Sequence, residues 1–132
     1  MEIPKFNYDE CVFISDTHFG HANIIKYCDR PFKFPDTTEM DALMLKGMKE
    51  ADDAGKIIFH MGDFVFNSIN LVNSDWRPAG QHYLILGNHD KRVHGAHRNL
   101  YREFFTHIIG DYRNWKTNSL RIMVGKHRLL LS

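Results

Sequence analysis

Three short apolar runs, each followed by polar residues, are the feature of this chain that most restricts its fold. The runs are CVFIS at residues 11–15, KIIFH at residues 56–60 and HYLIL at residues 82–86. Apolar runs of this length, rich in Val, Ile and Phe, are typical of strands that are buried on both faces of a parallel sheet. Segments with helical periodicity lie between them, so the pattern predicts an α/β fold.

The clearest helical segment begins after the sequence Asp-Thr-Thr-Glu at residues 36–39, which resembles a capping box. The segment has one apolar face, which is formed by Met40, Leu43, Met44, Met48 and Ala51. It ends at Gly55. We interpret its methionines as core packing. Further helices are predicted at 21–28, 67–76 and 97–105, and strands near 107–112, 120–124 and 128–131, with a turn at 125–126.

The composition fits one compact domain over residues 1–132, because 43% of the 132 residues are hydrophobic. Residues 1–8 lack the basic and apolar regions of a secretory signal, and the chain has no long uncharged apolar run. We therefore expect a cytoplasmic protein without membrane contact. In that setting Cys11 and Cys28 are expected to be reduced and buried.

Charge is distributed unevenly along the chain. Residues 1–66 carry a formal charge of −5, and residues 67–132 carry +6. Basic residues are frequent just after the third apolar run, where the sequence contains Lys91, Arg92, His94, His97 and Arg98. This basic half is compatible with an anionic ligand such as phosphate or nucleic acid, and equally with an ordinary solvated surface.

Polar clusters follow each apolar run: Asp16-Thr17-His18, then Gly62-Asp63, then Gly87-Asn88-His89-Asp90. Ligand sites in α/β sheets assemble at the carboxyl ends of the strands, so the three clusters are expected to converge. Side chains two residues apart on an extended segment point the same way. Asp16 and His18 are therefore predicted to face one cation together.

The remaining residues of these clusters predict a two-metal site. The carboxylate of Asp63 can bridge two ions, and Asn88 offers a neutral oxygen to the second. This mixture of oxygen and imidazole ligands favours Mn, Fe or Zn over Ca. His89 is predicted to act as a general acid that Asp90 orients. Two such ions activate a water for attack on phosphorus, so the sequence predicts hydrolysis of phosphate esters.

Several basic side chains outside these clusters have two interpretations. His21 follows His18 by three residues and is predicted either to contact substrate phosphate or to be an ordinary polar residue at a helix start. Arg92 is the second candidate for substrate binding. His60 and His82 lie within apolar strands, which favours hydrogen-bonded histidines of the core.

Taken in this order, the three motifs resemble those of the calcineurin-like metallophosphoesterase superfamily. The stretch FISDTHFGHANIIKYCDRPF at residues 13–32 is similar to small phosphoesterases of that superfamily from bacteria and phages. The resemblance covers essentially the whole chain. It implies an αββα sandwich, in which two mixed sheets pack face to face between helices. It also implies that Asp16 and His18 bind the first metal, Asp63 bridges, Asn88 binds the second, and His89 with Asp90 serves catalysis.

The superfamily pattern continues with a Ser-His segment and a Gly-His-x-His segment, and this chain reaches Ser132 without either. The resemblance therefore implies a truncated chain, with a sandwich that is incomplete at its C-terminus. Four of the seven expected metal-ligand positions are present. We expect such a chain to bind at most one ion well and to hydrolyse phosphate esters poorly or not at all.

Two other classes of function remain open from the sequence. Members of the superfamily with degraded sites serve as non-catalytic protein-binding modules on the same fold, but the retained pair His89 and Asp90 argues for an enzyme. A nucleic-acid binder that uses the basic half is the third class. The chain contains no recognisable nucleic-acid-binding module to support it.

Overall fold

The computed structural model describes residues 3–111, 113–114 and 118–132, and in these ranges the chain alternates between strands and helices. The strands are β1 (Lys5–Phe6), β2 (Cys11–Ile14), β3 (Ile57–His60), β4 (His82–Ile85), β5 (His107–Ile109), β6 (Leu120–Val124) and β7 (His127–Leu131). The helices are α1 (Ala22–Tyr27), α2 (Thr38–Asp53), α3 (Ile69–Val72) and α4 (Arg98–Phe104), with 3₁₀ turns at Tyr8–Glu10 and Lys91–His94.

The three apolar runs form neighbouring strands, as predicted. They belong to a sheet of order β2-β3-β4-β5, in which each pairing is parallel. Ile14 at the end of β2 lies opposite His60 on β3, and His60 lies opposite Leu84 on β4. Because the strands are in register and parallel, their carboxyl ends meet at one edge of the sheet.

A second sheet covers one face of the first. It contains β1, which is parallel to β6, and β7, which is antiparallel to β6 across the predicted turn at 125–126. The core between the sheets contains Phe59, Tyr83 and Ile85 from the first sheet and Ile122, Val124 and Leu131 from the second. The predicted α/β sandwich of two face-to-face sheets is therefore confirmed.

Helices cover the other face of the parallel sheet. Side chains alternate along a strand, so Ile58 and Leu84 point away from the second sheet. They join a cluster that includes Met48 of α2 and Phe104 of α4. The central strands β3 and β4 are therefore buried on both faces, which explains why they are apolar apart from His60 and His82. Among the described residues, no helix has the length and apolar character needed to cross a lipid bilayer.

Helix α2 differs from its prediction at two points. Thr37 precedes its first turn, and the carboxylate of Asp36 accepts the N–H of Thr38 at 2.9 Å, so the predicted capping box does not form. Leu43 is 58% exposed, whereas Met40 and Met48 are buried. At about 100° per residue, Leu43 lies roughly 140° from Met48, which places it outside the apolar stripe.

Other predictions required correction at the ends of elements. Cys28 is exposed because it follows the last turn of the short helix α1, and only Cys11 is partly buried; both are free thiols. The strand predicted at 107–112 ends at Ile109, and Tyr112 lies outside the described residues. Strand β1 was not predicted, because two residues are too few to show an apolar pattern.

Candidate metal centre

The first two motifs meet at the carboxyl edge of the parallel sheet, where their loops run side by side. The N–H of Asp16 donates to the carbonyl oxygen of Gly62 at 3.0 Å, and the N–H of His18 donates to that of Asp63 at 3.0 Å. These bonds continue the pairing of β2 with β3 beyond the ends of the strands. The motif residues are therefore fixed relative to each other by the backbone.

Three of the four predicted metal ligands form one cluster. Ligand atoms of Asp16, His18 and Asp63 all lie within 4.8 Å of one another. His18 Nε2 is 3.6 Å from Asp16 Oδ1 and 3.9 Å from Asp63 Oδ2. The side chain of Asp16 is 61% exposed and that of Asp63 is 15% exposed, so the cluster is open to solvent on the side of Asp16.

Burial changes the proton affinities within this cluster. It lowers the pKa of His18, and the carboxylates of Asp63 and Asp16 offset that effect only in part. It also raises the pKa of Asp63, against the hydrogen bond from the backbone of His89. His18 is therefore neutral near pH 7, which leaves an imidazole nitrogen available as a ligand.

The third motif approaches the cluster through its backbone. The N–H of His89 donates to Asp63 Oδ1 at 3.0 Å, and its imidazole ring lies 5.8 Å from that of His18. Asn88, the fourth predicted ligand, is exposed on the same loop, immediately before His89. The structure thus places the predicted general acid at the rim of the cluster.

Asp90 has a different position from the one expected for a partner of His89. Its carboxylate is fully buried and accepts four hydrogen bonds, two on each oxygen. The donors are the backbone N–H groups of Asp63, Phe64 and Gly87 and the hydroxyl of Tyr101, at 2.9, 3.0, 2.8 and 2.6 Å respectively. Asp90 therefore joins the second and third motifs instead of orienting the imidazole of His89.

The three clustered residues share an unusual backbone conformation. Asp16, His18 and Asp63 have φ values of 55°, 48° and 57°, in the left-handed region. In the described residues only one other non-glycine position, Asp29, has a positive φ. Such conformations cost on the order of 1–3 kcal/mol each and persist where surrounding contacts fix them, often at functional sites.

Two glycines allow the second and third motifs to touch. A Cβ atom on Gly62 would lie 2.9 Å from the backbone nitrogen of Gly87, and one on Gly87 would lie 2.5 Å from Asp63 Oδ1. Gly62 also has a positive φ of 107°, whereas Gly87 does not. The close approach of the two loops therefore depends on the absence of side chains at both positions.

The two predicted substrate-binding residues, His21 and Arg92, both contact Phe66. His21 Nδ1 is 3.4 Å from His18 Nδ1, and its ring stacks on Phe66 with centroids 4.4 Å apart. Arg92 donates from Nη1 to the carbonyl oxygen of Phe66 at 3.4 Å. A cleft of about 180 Å³ beside Arg92 is lined by Val65, Phe66, His89, Lys91 and Arg92. Of the other basic residues in this region, His97 is buried and does not contribute to a rim.

Sequence reasoning missed the role of Arg30. Its guanidinium donates to the carbonyl oxygens of Asp16 at 2.6 Å and Thr17 at 3.1 Å, which supports the first motif from below. Arg30 lies within the stretch 13–32 that carries the family resemblance, but nothing in its spacing distinguishes it from a surface arginine. Tyr101, which donates to Asp90, was likewise predicted only as part of a helix.

The donor set of the cluster fits a divalent transition metal. It combines two carboxylates with a neutral imidazole, and mixed oxygen and nitrogen ligands of this kind suit Mn, Fe or Zn. His18 Nε2 lies 3.6 Å from a carboxylate oxygen of Asp16 and 3.9 Å from one of Asp63, so one ion can contact all three side chains. On this observation Asp16, His18 and Asp63 are the residues that would hold an ion.

Known proteins share sequence and fold with this chain. The sequence profile described as calcineurin-like phosphoesterase matches residues 11–130. The uncharacterized protein MJ1445 of Methanocaldococcus jannaschii is 37% identical in an alignment of 87 positions that covers 59% of this chain and 45% of that protein. The crystal structure of AQ665, a protein of unknown function from Aquifex aeolicus, matches with a TM-score of 0.63 and 27% identity, over 91% of this chain and 57% of that chain.

The chain spans about half the length of each of these two proteins. The profile match extends from the first residue of β2 to the penultimate residue of β7, and so includes the whole parallel sheet, most of the second sheet except β1, and all three motifs. On this match, the chain belongs to the calcineurin-like phosphoesterase family.

Proposed function

We propose that this protein hydrolyses phosphate esters with the help of divalent metal ions. The observation that carries the proposal is the convergence of Asp16, His18 and Asp63, whose ligand atoms lie within 4.8 Å of one another at the carboxyl edge of the sheet. Family membership supports the same reaction class. Bound divalent ions supply Lewis-acid activation of water and neutralise charge on the phosphoryl group.

In this proposal Asp16 and His18 hold the first ion and Asp63 contributes to both. Asn88 is the candidate ligand for the second ion, because it is exposed on the loop whose backbone contacts Asp63. An amide oxygen adds no negative charge, which suits a site that must admit an anionic substrate. The neutral imidazole of His18 has the same advantage.

His89 is the proposed proton donor to the departing oxygen. Its backbone N–H is fixed to Asp63 Oδ1, while its side chain is exposed at the rim of the cluster. An exposed imidazole can donate a proton to the departing oxygen and regain one from solvent. Substitution of His89 by Gln is expected to lower kcat by roughly 100-fold.

The cleft next to His89 is the proposed position of the leaving group. Lys91 and Arg92 line it, and its described lining contains no carboxylate, so it favours leaving groups that carry negative charge. Phe66 is 51% exposed beside these cations and offers an apolar surface. Phosphate esters of nucleotides combine both properties and are the substrates that we would test first.

The test is hydrolysis of an aryl phosphate by the purified chain with Mn²⁺ supplied. We expect turnover that chelation abolishes and that Asp63→Asn lowers by at least about 100-fold. Asp75→Asn is the matched control, because Asp75 is an exposed aspartate outside the site. Mn²⁺ binding without turnover would contradict the enzyme proposal and favour a non-catalytic module on the same fold.

A further inference from the structure

His60 is a fully buried polar residue at the end of β3, directly below the candidate metal centre. Its Nδ1 accepts the backbone N–H of Gly62 at 3.1 Å, and its Nε2 lies 2.9 Å from Thr17 Oγ1. Both ring nitrogens therefore have partners, one in each of the first two motifs. The ring also packs edge-on against Phe64 and Phe105, which restricts its orientation.

The hydrogen-bond partners determine which nitrogen carries the proton. Since Nδ1 accepts from an amide, the proton of the neutral ring is on Nε2 and is donated to the hydroxyl of Thr17. That hydroxyl in turn donates to the carbonyl oxygen of Phe64 at 2.8 Å. Each donor in this chain of bonds has one acceptor, so the arrangement specifies a single geometry for Thr17 and Gly62.

Thr17 and Gly62 are the neighbours of the candidate ligands. Thr17 lies between Asp16 and His18, and Gly62 immediately precedes Asp63. All three ligands have positive φ values, a conformation that neighbouring contacts must maintain. A side chain that bonds to both segments at once is well placed to set the distance between them.

We propose that His60, acting through Thr17 and the backbone of Gly62, is a positioning residue that sets the spacing of Asp16, His18 and Asp63 and thereby the metal affinity of the site. This inference rests on the proposed function, because it requires that the three side chains bind a metal. Partners outside the ligand shell commonly change metal affinity by 10–100-fold when they are removed.

The chain provides a matched control in His82. This histidine is also 0% exposed and lies on the adjacent strand β4. It is located at the opposite end of the sheet, where its Nε2 is 2.9 Å from Asp52 Oδ1. Replacement of either histidine by Leu removes a buried imidazole, but only the replacement at position 60 removes contacts with the motif loops.

The experiment is titration of metal-free protein with Mn²⁺, with free Mn²⁺ measured by electron paramagnetic resonance and folding monitored by circular dichroism. We expect His60→Leu to weaken Mn²⁺ binding by roughly 10-fold or more, and His82→Leu to leave it within about 2-fold of wild type. Thr17→Val should weaken binding in the same direction, and Thr17→Ser should restore it, since serine keeps the hydroxyl. These two smaller substitutions provide the test if His60→Leu does not fold.

Three outcomes would contradict the proposals, and they differ. Wild-type affinity in folded His60→Leu, or in Thr17→Val, would overturn the role of His60 while leaving the proposed function intact. Equal weakening by His60→Leu and His82→Leu would attribute the loss to general destabilisation and also overturn it. A wild-type protein that binds no Mn²⁺ would overturn the proposed function itself.

Discussion

Each end of the parallel sheet contains one buried histidine and one buried aspartate, but these side chains make different contacts at the two ends. At the carboxyl end are His60 and Asp90; at the amino end are His82 and Asp52. Both histidines are fully buried, and the side chains of Asp90 and Asp52 are buried or nearly so. The residue types and their burial are matched, so the contrast lies in what each pair contacts.

The carboxyl-end pair bonds to the three motif loops, whereas the amino-end pair joins helix α2 to strand β4 and to the loop that precedes it. Asp90 and His60 contact residues adjacent to the candidate ligands in all three motifs. Asp52, near the end of α2, accepts the N–H groups of Ala79 and Gly80 and contacts the ring of His82. Buried polar groups thus stabilise both ends, but only those at the carboxyl end constrain the geometry of a site.

The largest expected effect comes from Asp90→Asn. An amide has a single acceptor oxygen, so N–H groups that now donate to the second carboxylate oxygen would face an NH₂ group. We expect the free energy of unfolding to fall by about 3 kcal/mol and Mn²⁺ affinity to fall by roughly 10-fold or more. Urea unfolding of the metal-free protein and Mn²⁺ titration measure the two effects.

Asp52→Asn is the matching substitution at the amino end of the sheet. That substitution should cost about 2 kcal/mol of unfolding free energy and leave Mn²⁺ affinity unchanged, because Asp52 contacts none of the motif loops. A similar loss of affinity in both variants would show that the two ends are not functionally distinct.

The second effect concerns the pH dependence of stability in the absence of metal. Burial lowers the pKa of His60 to about 4, below the value of about 6.5 in the unfolded chain. Between these values the unfolded chain binds more protons, so the contribution of His60 to stability is complete above about pH 6.5 and is lost as the pH falls towards 4. The loss is on the order of 2–3 kcal/mol.

Unfolding in urea at about pH 7 and about pH 5 tests this sign. The stability advantage of wild type over His60→Gln should shrink at the lower pH. Burial also lowers the pKa of His82, but the hydrogen bond and charge of Asp52 offset part of that effect, so His82→Gln should change the pH dependence less. A larger change in His82→Gln than in His60→Gln would reverse the expected order.

The smallest effect is expected for Thr106→Val, at the amino end. The hydroxyl of Thr106 accepts the N–H of His82 at 3.1 Å and lies 3.0 Å from the carbonyl oxygen of the same residue, in an exposed position. Its removal should cost about 0.5–1 kcal/mol and leave Mn²⁺ affinity unchanged. Thermal unfolding with and without Mn²⁺ measures both quantities, and a change in the stabilisation by Mn²⁺ would contradict the separation of the two ends.

The parts of the molecule that follow from local pattern were predictable. Strand β2 was predicted at 11–15 and observed at Cys11–Ile14, because a short apolar run followed by polar residues favours a strand. The convergence of Asp16, His18 and Asp63 followed from the parallel order of β2 and β3. Residue type and strand direction predicted where the motifs meet, but the extended backbone expected at Asp16 and His18 was wrong, because both residues have left-handed φ values.

The supporting contacts were not predictable, because they join residues distant in sequence. Thr17 and His60 are 43 residues apart, and Asp90 bonds to N–H groups 26 and 27 residues away. Asp90 was expected to orient His89 because the two are adjacent in sequence. The carboxylate of Asp90 is instead buried, and it accepts hydrogen bonds from the backbone N–H groups around it. Leu43 was misassigned for a different reason, since its angle of roughly 140° from Met48 around the helix already follows from their spacing in the sequence.

The meeting of the second and third motifs at Gly62 and Gly87 separates two reasons for finding glycine in such motifs. Position 62 requires glycine both for its positive φ and for the space beside the backbone of Gly87, whereas position 87 requires it only for the space beside Asp63. Because the φ of Gly87 is outside the left-handed region, alanine there would meet no penalty from a positive φ, yet its methyl group would lie 2.5 Å from Asp63 Oδ1. Besides donating its N–H to Asp90, Gly87 therefore leaves space for the carboxylate of a candidate metal ligand.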